Sequence, residues 1–163
     1  MTKKPFLFLL LSGIIFALDQ ATKQVITASV SPFEVIRVLP FLNIVYVENT
    51  GSAFGLFKSL GNAFFIVLSL GAVALLLFLL FRDEENRLAY SLVLGGAAGN
   101  VTDRIMRGYV IDFVDFFAGS LHWPAFNVAD SALTVGIGLM FAAVVLSGRK
   151  ARAGDDRQRP STP

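Results

Sequence analysis

Two aspartates in apolar surroundings are the residues of this chain best suited to chemistry. Asp112 follows Val110 and Ile111, and Asp130 opens a long apolar segment. An ionised carboxylate beside hydrocarbon is costly or loses its charge, so such residues are rare and usually functional. Two carboxyls in one low-dielectric site share a proton, and such a pair can activate water against an amide carbonyl. The pattern predicts hydrolytic chemistry if the fold brings both side chains together.

Composition removes most other routes to hydrolysis. The 163 residues include no cysteine, which excludes disulfides, thiolate nucleophiles and cysteine-based metal sites. The single histidine, His122, leaves no room for a histidine-rich metal site, and we interpret it as a loop or interface residue beside Trp123. The net charge of +2, without a basic stripe, argues against a nucleic-acid partner. We therefore expect neither a metal nor a cofactor.

The apolar content places the chain in a membrane. It is 55% hydrophobic and 16% charged, and the run at 63–81 contains no charge over a length that can cross the hydrocarbon. We predict an all-α membrane protein with four transmembrane helices, forming a single domain over residues 1–148 and followed by a disordered cytoplasmic tail at 149–163. The predicted spans cover about 5–25, 61–81, 88–104 and 128–147.

The segments between the spans carry weaker signals. β-Branched residues at 35–39 and 42–47, separated by Pro40, predict a small strand pair outside the bilayer. Residues 54–57 are expected to form a lid or cradle on the membrane surface. Residues 104–127 are expected to form a loop.

Basic residues predict the orientation. Nine of the fourteen lysines and arginines lie before the first span, in the turn at 82–87 and in the tail. Basic residues favour the cytoplasmic side, so both termini should be cytoplasmic. Both focal aspartates then lie near the outer face.

Two further sets of polar residues allow either a structural or a functional explanation. Asp19 and Lys23 are four residues apart, which predicts a structural ion pair at the outer end of the first span. Asn100, Asp103 and Arg104 share one helix face. They either anchor the helix at the interface or form a polar site, in which the guanidinium holds a carboxylate or carbonyl. Asn100 lies one turn deeper and needs a partner in lipid.

The aspartates themselves allow alternatives. Asn127 is a good N-cap, so Asp130 would be the third helical residue, where a carboxylate completes a capping box. Asp112 has no such explanation. Asp115 competes for its role, because helical spacing would place both on one face.

Five motifs, in order, make the chain resemble lipoprotein signal peptidase, the bacterial signal peptidase II family. Any one motif is weak, whereas five in order over residues 10–145 are specific. The motifs are DQATK at 19–23, NTGSAF at 49–54, GGAAGNVTDR at 95–104, VIDF at 110–113 and FNVADS at 126–131. Ser52 stands where the family frequently has alanine.

The resemblance implies an intramembrane aspartyl endopeptidase with Asp112 and Asp130 as the catalytic pair, and it favours Asp112 over Asp115. The implied substrate is a prolipoprotein, cut just before a cysteine that already carries diacylglycerol. The implied setting is the bacterial cytoplasmic (inner) membrane, with membrane lipid as a further partner, and we expect a monomer.

The resemblance also implies roles for the remaining polar residues. Asn49 and Gly51 would contact the substrate. Asn100 and Arg104 would steady the pair and the substrate backbone, with Asn127 beside them, whereas the roles of Asp19 and Lys23 would be more structural.

Two other classes of protein remain as alternatives. A transporter or channel subunit could use the aspartates as a proton relay. The polar residues cluster at helix ends and none interrupts 63–81, although a conducting path needs polar groups at the midplane. A purely structural protein would leave Asp112 unexplained.

Overall fold

The structure, a computed structural model, describes residues 5–51 and 61–158. The segment at 54–57, predicted to form a lid or cradle, lies outside these residues. The described part contains four helices, α1 (Pro5–Ser29), α2 (Gly61–Arg82), α3 (Arg87–Arg107) and α4 (Val128–Gln158).

Three of these helices are long and apolar enough to cross a membrane: α1, α2 and the part of α4 at Val128–Leu146. The helix α3 does not belong to this set, because charged and amide side chains interrupt it. It is instead the central helix, with twelve buried residues against two in α2. It packs against α1, α2 and α4. The four-span arrangement therefore remains a prediction.

Glycines on α3 allow its neighbours to approach closely. A Cβ atom at Gly95 would lie 2.7 Å from the carbonyl oxygen of Ser12 on α1. A Cβ atom at Gly96 would lie 2.5 Å from the carbonyl oxygen of Ala129 on α4. Both distances are too short for a side chain, so glycine here sets the spacing of the helices.

An antiparallel four-stranded sheet completes the fold. Its strands are β1 (Val35–Leu39), β2 (Leu42–Asn49), β3 (Val110–Ala118) and β4 (Leu121–His122), in the spatial order β1-β2-β3-β4. The predicted strand pair, β1 and β2, is confirmed. The expected loop at 104–127 is wrong for β3, whose β-branched and aromatic residues pair with a strand more than sixty residues earlier.

Asp112 and Asp115 lie on a strand, not on the helix that their spacing suggested. They bond Asn49 and Asn43 of β2, which are six residues apart and so share one face of that strand. Both aspartates therefore lie on the same face of the sheet, at different positions along β3. A bulge accounts for their odd spacing, because the N–H groups of Phe113 and Val114 both donate to the carbonyl oxygen of Phe126.

Apolar contacts pack the sheet against α1. Ile111 and Phe113 of β3 form a buried cluster with Ile26 and Val30 at the end of α1. This cluster fixes β3 on both sides of Asp112.

The end of α4 differs from the sequence prediction. A disordered tail was predicted from residue 149, but the helix continues to Gln158. Arginine, lysine, alanine and glutamine favour helix, and extending an existing helix needs no new nucleus. Residues 159–163 lie outside the described part.

Candidate active site

Asp112 lies on β3 with a side chain that is almost fully buried, at 1% exposure. Its Oδ2 accepts a hydrogen bond of 2.8 Å from the side-chain amide of Asn49, at the end of β2. Asn49 pairs with Val110 across the sheet, so Asp112 is its diagonal neighbour on the same face. Its Oδ1 accepts a second bond of 2.8 Å from the amide of Asn127.

Asp130 is the third residue of α4 and completes the predicted capping box. Its backbone N–H donates to Oδ1 of Asn127 at 2.8 Å, and its own Oδ2 accepts from the backbone N–H of Asn127 at 3.3 Å. Its Oδ1 also accepts from the amide of Asn100 on α3 at 2.8 Å. The capping prediction is confirmed, and the cap leaves the carboxyl rigidly held.

Asn127 joins the two aspartates. Its side chain donates to Asp112 and its backbone donates to Asp130, so one fully buried residue contacts both carboxyls. A β-bridge between Val114 and Phe126 brings this residue beside β3. The fold therefore places Asp112 and Asp130 in one site.

The amide orientations of the three asparagines follow from unambiguous partners. An N–H group can only donate, so each asparagine must turn its oxygen toward such a donor and its NH₂ group away from it. The backbone N–H of Gly51 orients Asn49, that of Asp130 orients Asn127, and the ammonium of Lys23 orients Asn100. In all three cases the NH₂ group then faces a catalytic candidate.

Burial and charge act together on Asp112. Burial raises the pKa of its carboxyl to about 7, the nearby charge of Asp130 acts in the same direction, and the amides of Asn49 and Asn127 oppose both effects. Two carboxyls in one such site do not readily ionise together, so a proton kept by one favours ionisation of the other.

A network of buried ion pairs links the helices around the site. Lys23 and Asp19 form the predicted pair at 2.8 Å, and both side chains are fully buried. Lys23 also contacts Asp103 of α3 at 2.9 Å, a partner that the sequence did not predict. Asp19 further accepts the backbone N–H of Ala129 at the start of α4, so the network joins three helices.

The three polar residues of α3 that the sequence singled out have different partners. Asn100 joins Lys23 to Asp130, as its depth in the helix suggested. Asp103 is fully buried and bound to Lys23 and Arg107, so it does not serve as an exposed interfacial anchor. Arg104 lies over the ring of Phe65 at 5.0 Å.

Asp115 belongs to a separate cluster. It accepts a bond of 2.9 Å from the amide of Asn43 on β2. Nδ1 of His122 lies 2.9 Å from its Oδ1, and the imidazole stacks on Phe117. His122 therefore has a specific partner within the sheet.

A cavity of about 310 Å³ opens beside Asp130. Aromatic and small polar side chains surround it, namely Trp123, Phe126, Ser131, Thr134 and Val135. Within the described ranges, no cluster of three or more His, Asp or Glu side chains could hold a metal ion.

The match to a known family covers most of the chain. Residues 11–146 match the family model described as signal peptidase (SPase) II. The chain belongs to the signal peptidase II family. Membership makes it a membrane peptidase.

Curated relatives of the signal peptidase II family agree. The chain is 52% identical over 124 residues to the lipoprotein signal peptidase of Thermodesulfovibrio yellowstonii, covering 76% of this chain and 84% of the relative. It is 44% identical over 155 residues to that of Serratia marcescens, covering 90% of this chain and 89% of the relative.

Solved structures share the fold. A bacterial membrane enzyme determined by the in meso method at 2.3 Å superposes with a TM-score of 0.78 and 28% identity, covering 96% of this chain and 93% of the other. A second, at 1.9 Å, gives a TM-score of 0.75 and 32% identity, covering 84% and 91%. The chain therefore has the fold of a membrane enzyme.

Proposed function

We propose that this chain is an intramembrane aspartyl endopeptidase with Asp112 and Asp130 as its catalytic pair. Its substrate is a diacylglyceryl-modified bacterial prolipoprotein, which it cuts before the lipid-modified cysteine. The proposal of prolipoprotein as substrate takes support from the named relatives.

The contact of Asn127 with both carboxyls is the observation that carries the aspartyl mechanism. It brings one buried and one half-buried acid into one site, where they share a proton because both cannot readily ionise. The raised pKa of Asp112 supports the same conclusion.

The chemistry then follows from one shared proton. The ionised carboxylate takes a proton from water as the water oxygen bonds to the scissile carbonyl carbon, and the other carboxyl gives its proton to the carbonyl oxygen. In the second step the pair gives its proton to the amine nitrogen of the cysteine as the bond between that nitrogen and the carbonyl carbon breaks. A hydroxyl of the diol intermediate returns one proton to the pair. The pair ends the cycle with the single proton it began with.

The supporting residues have roles in this scheme. Asn49, Asn100 and Asn127 hold the carboxyls by their amides, Gly51 adjoins the substrate path, and Arg104 meets the substrate backbone. Lys23 and Asp19 hold α1, α3 and α4 together around the pair.

The membrane arrangement is part of the proposal. We propose that α3 crosses the bilayer as a fourth span, because it packs between three helices apolar enough to do so. Both termini are then cytoplasmic, by the distribution of basic residues. The site lies near the outer face of the inner membrane, where the pair reaches water and the substrate's lipid stays in the outer leaflet. One copy supplies both aspartates, so a monomer is sufficient.

Replacing Asp112 or Asp130 by asparagine tests the mechanism. Each variant, purified and reconstituted in lipid, is expected to lose at least about 10³-fold in the rate of cleaving a diacylglyceryl-modified precursor, because it loses an acid–base group. Cleavage is followed by gel shift and by mass of the products.

Asp83 provides a matched control. It lies in the turn between α2 and α3, where it bonds Asn86 and Tyr90 far along the chain from the pair. Asp83→Asn should retain cleavage. Substantial cleavage by either Asp112→Asn or Asp130→Asn would contradict the aspartyl mechanism.

A further inference from the structure

Two buried polar atoms beside the site have no hydrogen-bond partner among the described residues. They are Oδ1 of Asn62, in the first turn of α2, and Nη1 of Arg104 on α3. Leaving a buried donor or acceptor unpaired costs free energy, so such atoms in a native protein require a physical explanation. One atom accepts a hydrogen bond and the other donates one.

The two residues are in direct contact. The side-chain amide of Asn62 donates to the backbone carbonyl of Arg104 at 2.9 Å. This bond uses the NH₂ group, which leaves Oδ1 as the unused half of the amide. The orphan acceptor and the orphan donor therefore belong to neighbouring side chains.

The ring of Phe65 packs beside the contact between Asn62 and Arg104. The Arg104 guanidinium lies over the ring of Phe65, one turn beyond Asn62 on α2. Gly51 has a φ of +99°, and a Cβ atom there would overlap the same ring. Phe65 thus brings the start of α2 against the end of β2, which carries Asn49 of the candidate active site.

An electrostatic interaction connects Arg104 to the proposed catalytic pair. The guanidinium of Arg104 interacts electrostatically with both Asp112 and Asp130. A group bound between Arg104 and Asn62 would therefore lie next to the carboxyls.

The chemistry of the two free atoms selects the ligand. An extended peptide residue presents its N–H and its C=O on the same edge, as residues of hydrogen-bonded pairs do in antiparallel sheets. We propose that Asn62 and Arg104 form a subsite for one extended residue of the substrate main chain, with Asn62 Oδ1 accepting its N–H and Arg104 Nη1 donating to its C=O. This subsite rests on the proposed function, and Asn62 serves in it as a positioning residue that contacts substrate.

Kinetics of Asn62→Ala test the subsite. The full-length variant in lipid should raise KM for the diacylglyceryl-modified precursor by about tenfold, with kcat within about twofold, because a contact made equally in ground and transition states is lost. Asn86→Ala is the matched control, since Asn86 precedes α3 and its side-chain amide donates to Asp83 in the turn before that helix. It should leave KM unchanged.

Backbone-modified substrates separate binding from a purely structural role of Asn62. Precursor peptides are made with one amide near the scissile bond replaced by an ester, which removes one N–H at a time. At one position the ester should raise KM for the native enzyme about tenfold, yet raise KM no further for Asn62→Ala. That non-additivity reports a direct contact.

Two outcomes would overturn the subsite. One is an unchanged KM in Asn62→Ala, expected if only water occupies the two atoms. The other is additivity of ester and alanine effects at every position, expected if Asn62 merely caps the end of α3. Either result leaves the catalytic pair standing, because Asp112→Asn tests that pair separately.

Discussion

Asp112 and Asp115 lie three residues apart on one strand and have similar local surroundings. Both are buried, at 1% and 7% exposure. Each accepts a hydrogen bond from an asparagine of β2, at 2.8 Å from Asn49 and at 2.9 Å from Asn43. Burial and an amide donor are therefore common to both carboxyls, and neither feature can distinguish them.

Their other neighbours make the difference. Asp112 meets Asn127, which also contacts a second carboxyl, whereas Asp115 meets an imidazole. Burial raises the pKa of Asp112 to about 7, and the charge of the second acid acts in the same direction. A buried aspartate thus becomes a catalytic candidate through the acid beside it, and Asp115 on the same strand provides an internal control.

The largest expected effect separates the two aspartates directly. Asp112→Asn should reduce cleavage at least about 10³-fold, whereas Asp115→Asn should stay within about tenfold of the native rate, because it removes no acid–base group. Precursor cleavage by both proteins in lipid provides the measurement. Equal losses in the two variants would remove the distinction between the two aspartates of β3.

Asn127 provides the second largest effect. Serine at this position keeps a helix cap but is too short to reach Asp112, so Asn127→Ser should cut kcat by about 10²-fold while the thermal midpoint changes little. Asn127→Ala should lose the cap as well and cost about 1 kcal/mol of stability. A serine variant with native kcat would show that the amide does not hold the pair.

The pH dependence of the cleavage rate should distinguish the two β2 asparagines that bond an aspartate. Cleavage needs one proton on the pair and should decline as pH rises through the pKa of about 7. Removing the amide of Asn49 destabilises the carboxylate form of Asp112 and raises its pKa, so the alkaline limb of the rate profile in Asn49→Ala should move up by about one unit.

Asn43→Ala is the control for that shift. The amide of Asn43 bonds Asp115 and not Asp112, so the alkaline limb should remain at its native position. A shift of the same size in Asn43→Ala would mean that the profile reports general loosening of the sheet.

The smallest effect concerns His122, the partner of Asp115. Its side chain is 52% exposed, so the pair is screened by solvent, and His122→Ala should lower the thermal midpoint by only about 2 °C. The alkaline limb should not move. A clear shift would show that the Asp115–His122 cluster is coupled to the catalytic pair.

Local patterns in the chain were informative wherever a feature depends on neighbours in sequence. The capping box of Asn127 and Asp130 spans three residues, and the Asp19–Lys23 pair spans four, so helical spacing was enough to predict both. The strand pair at the start of the sheet was also predictable, because its β-branched residues and the turn between them are close in sequence.

Other features depended on contacts between distant parts of the chain. The strand β3 forms against β2 and against Phe126, and those contacts place Asp112 beside Asn127 and Asp115 beside His122, whereas the spacing alone suggested a helix. The orphan atom of Asn62 likewise exists only because α2 meets the end of α3.

Sequence pattern was therefore sufficient to identify apolar spans, a family and two candidate acids, since hydropathy and motif order are properties of the chain itself. Tertiary packing decided which acids meet, which way each amide points and what lies beside them. The physical reason is that hydrogen bonds and pKa shifts act over a few ångströms in space, and only folding brings Asn49, Asn100 and Asn127 within that distance of one site.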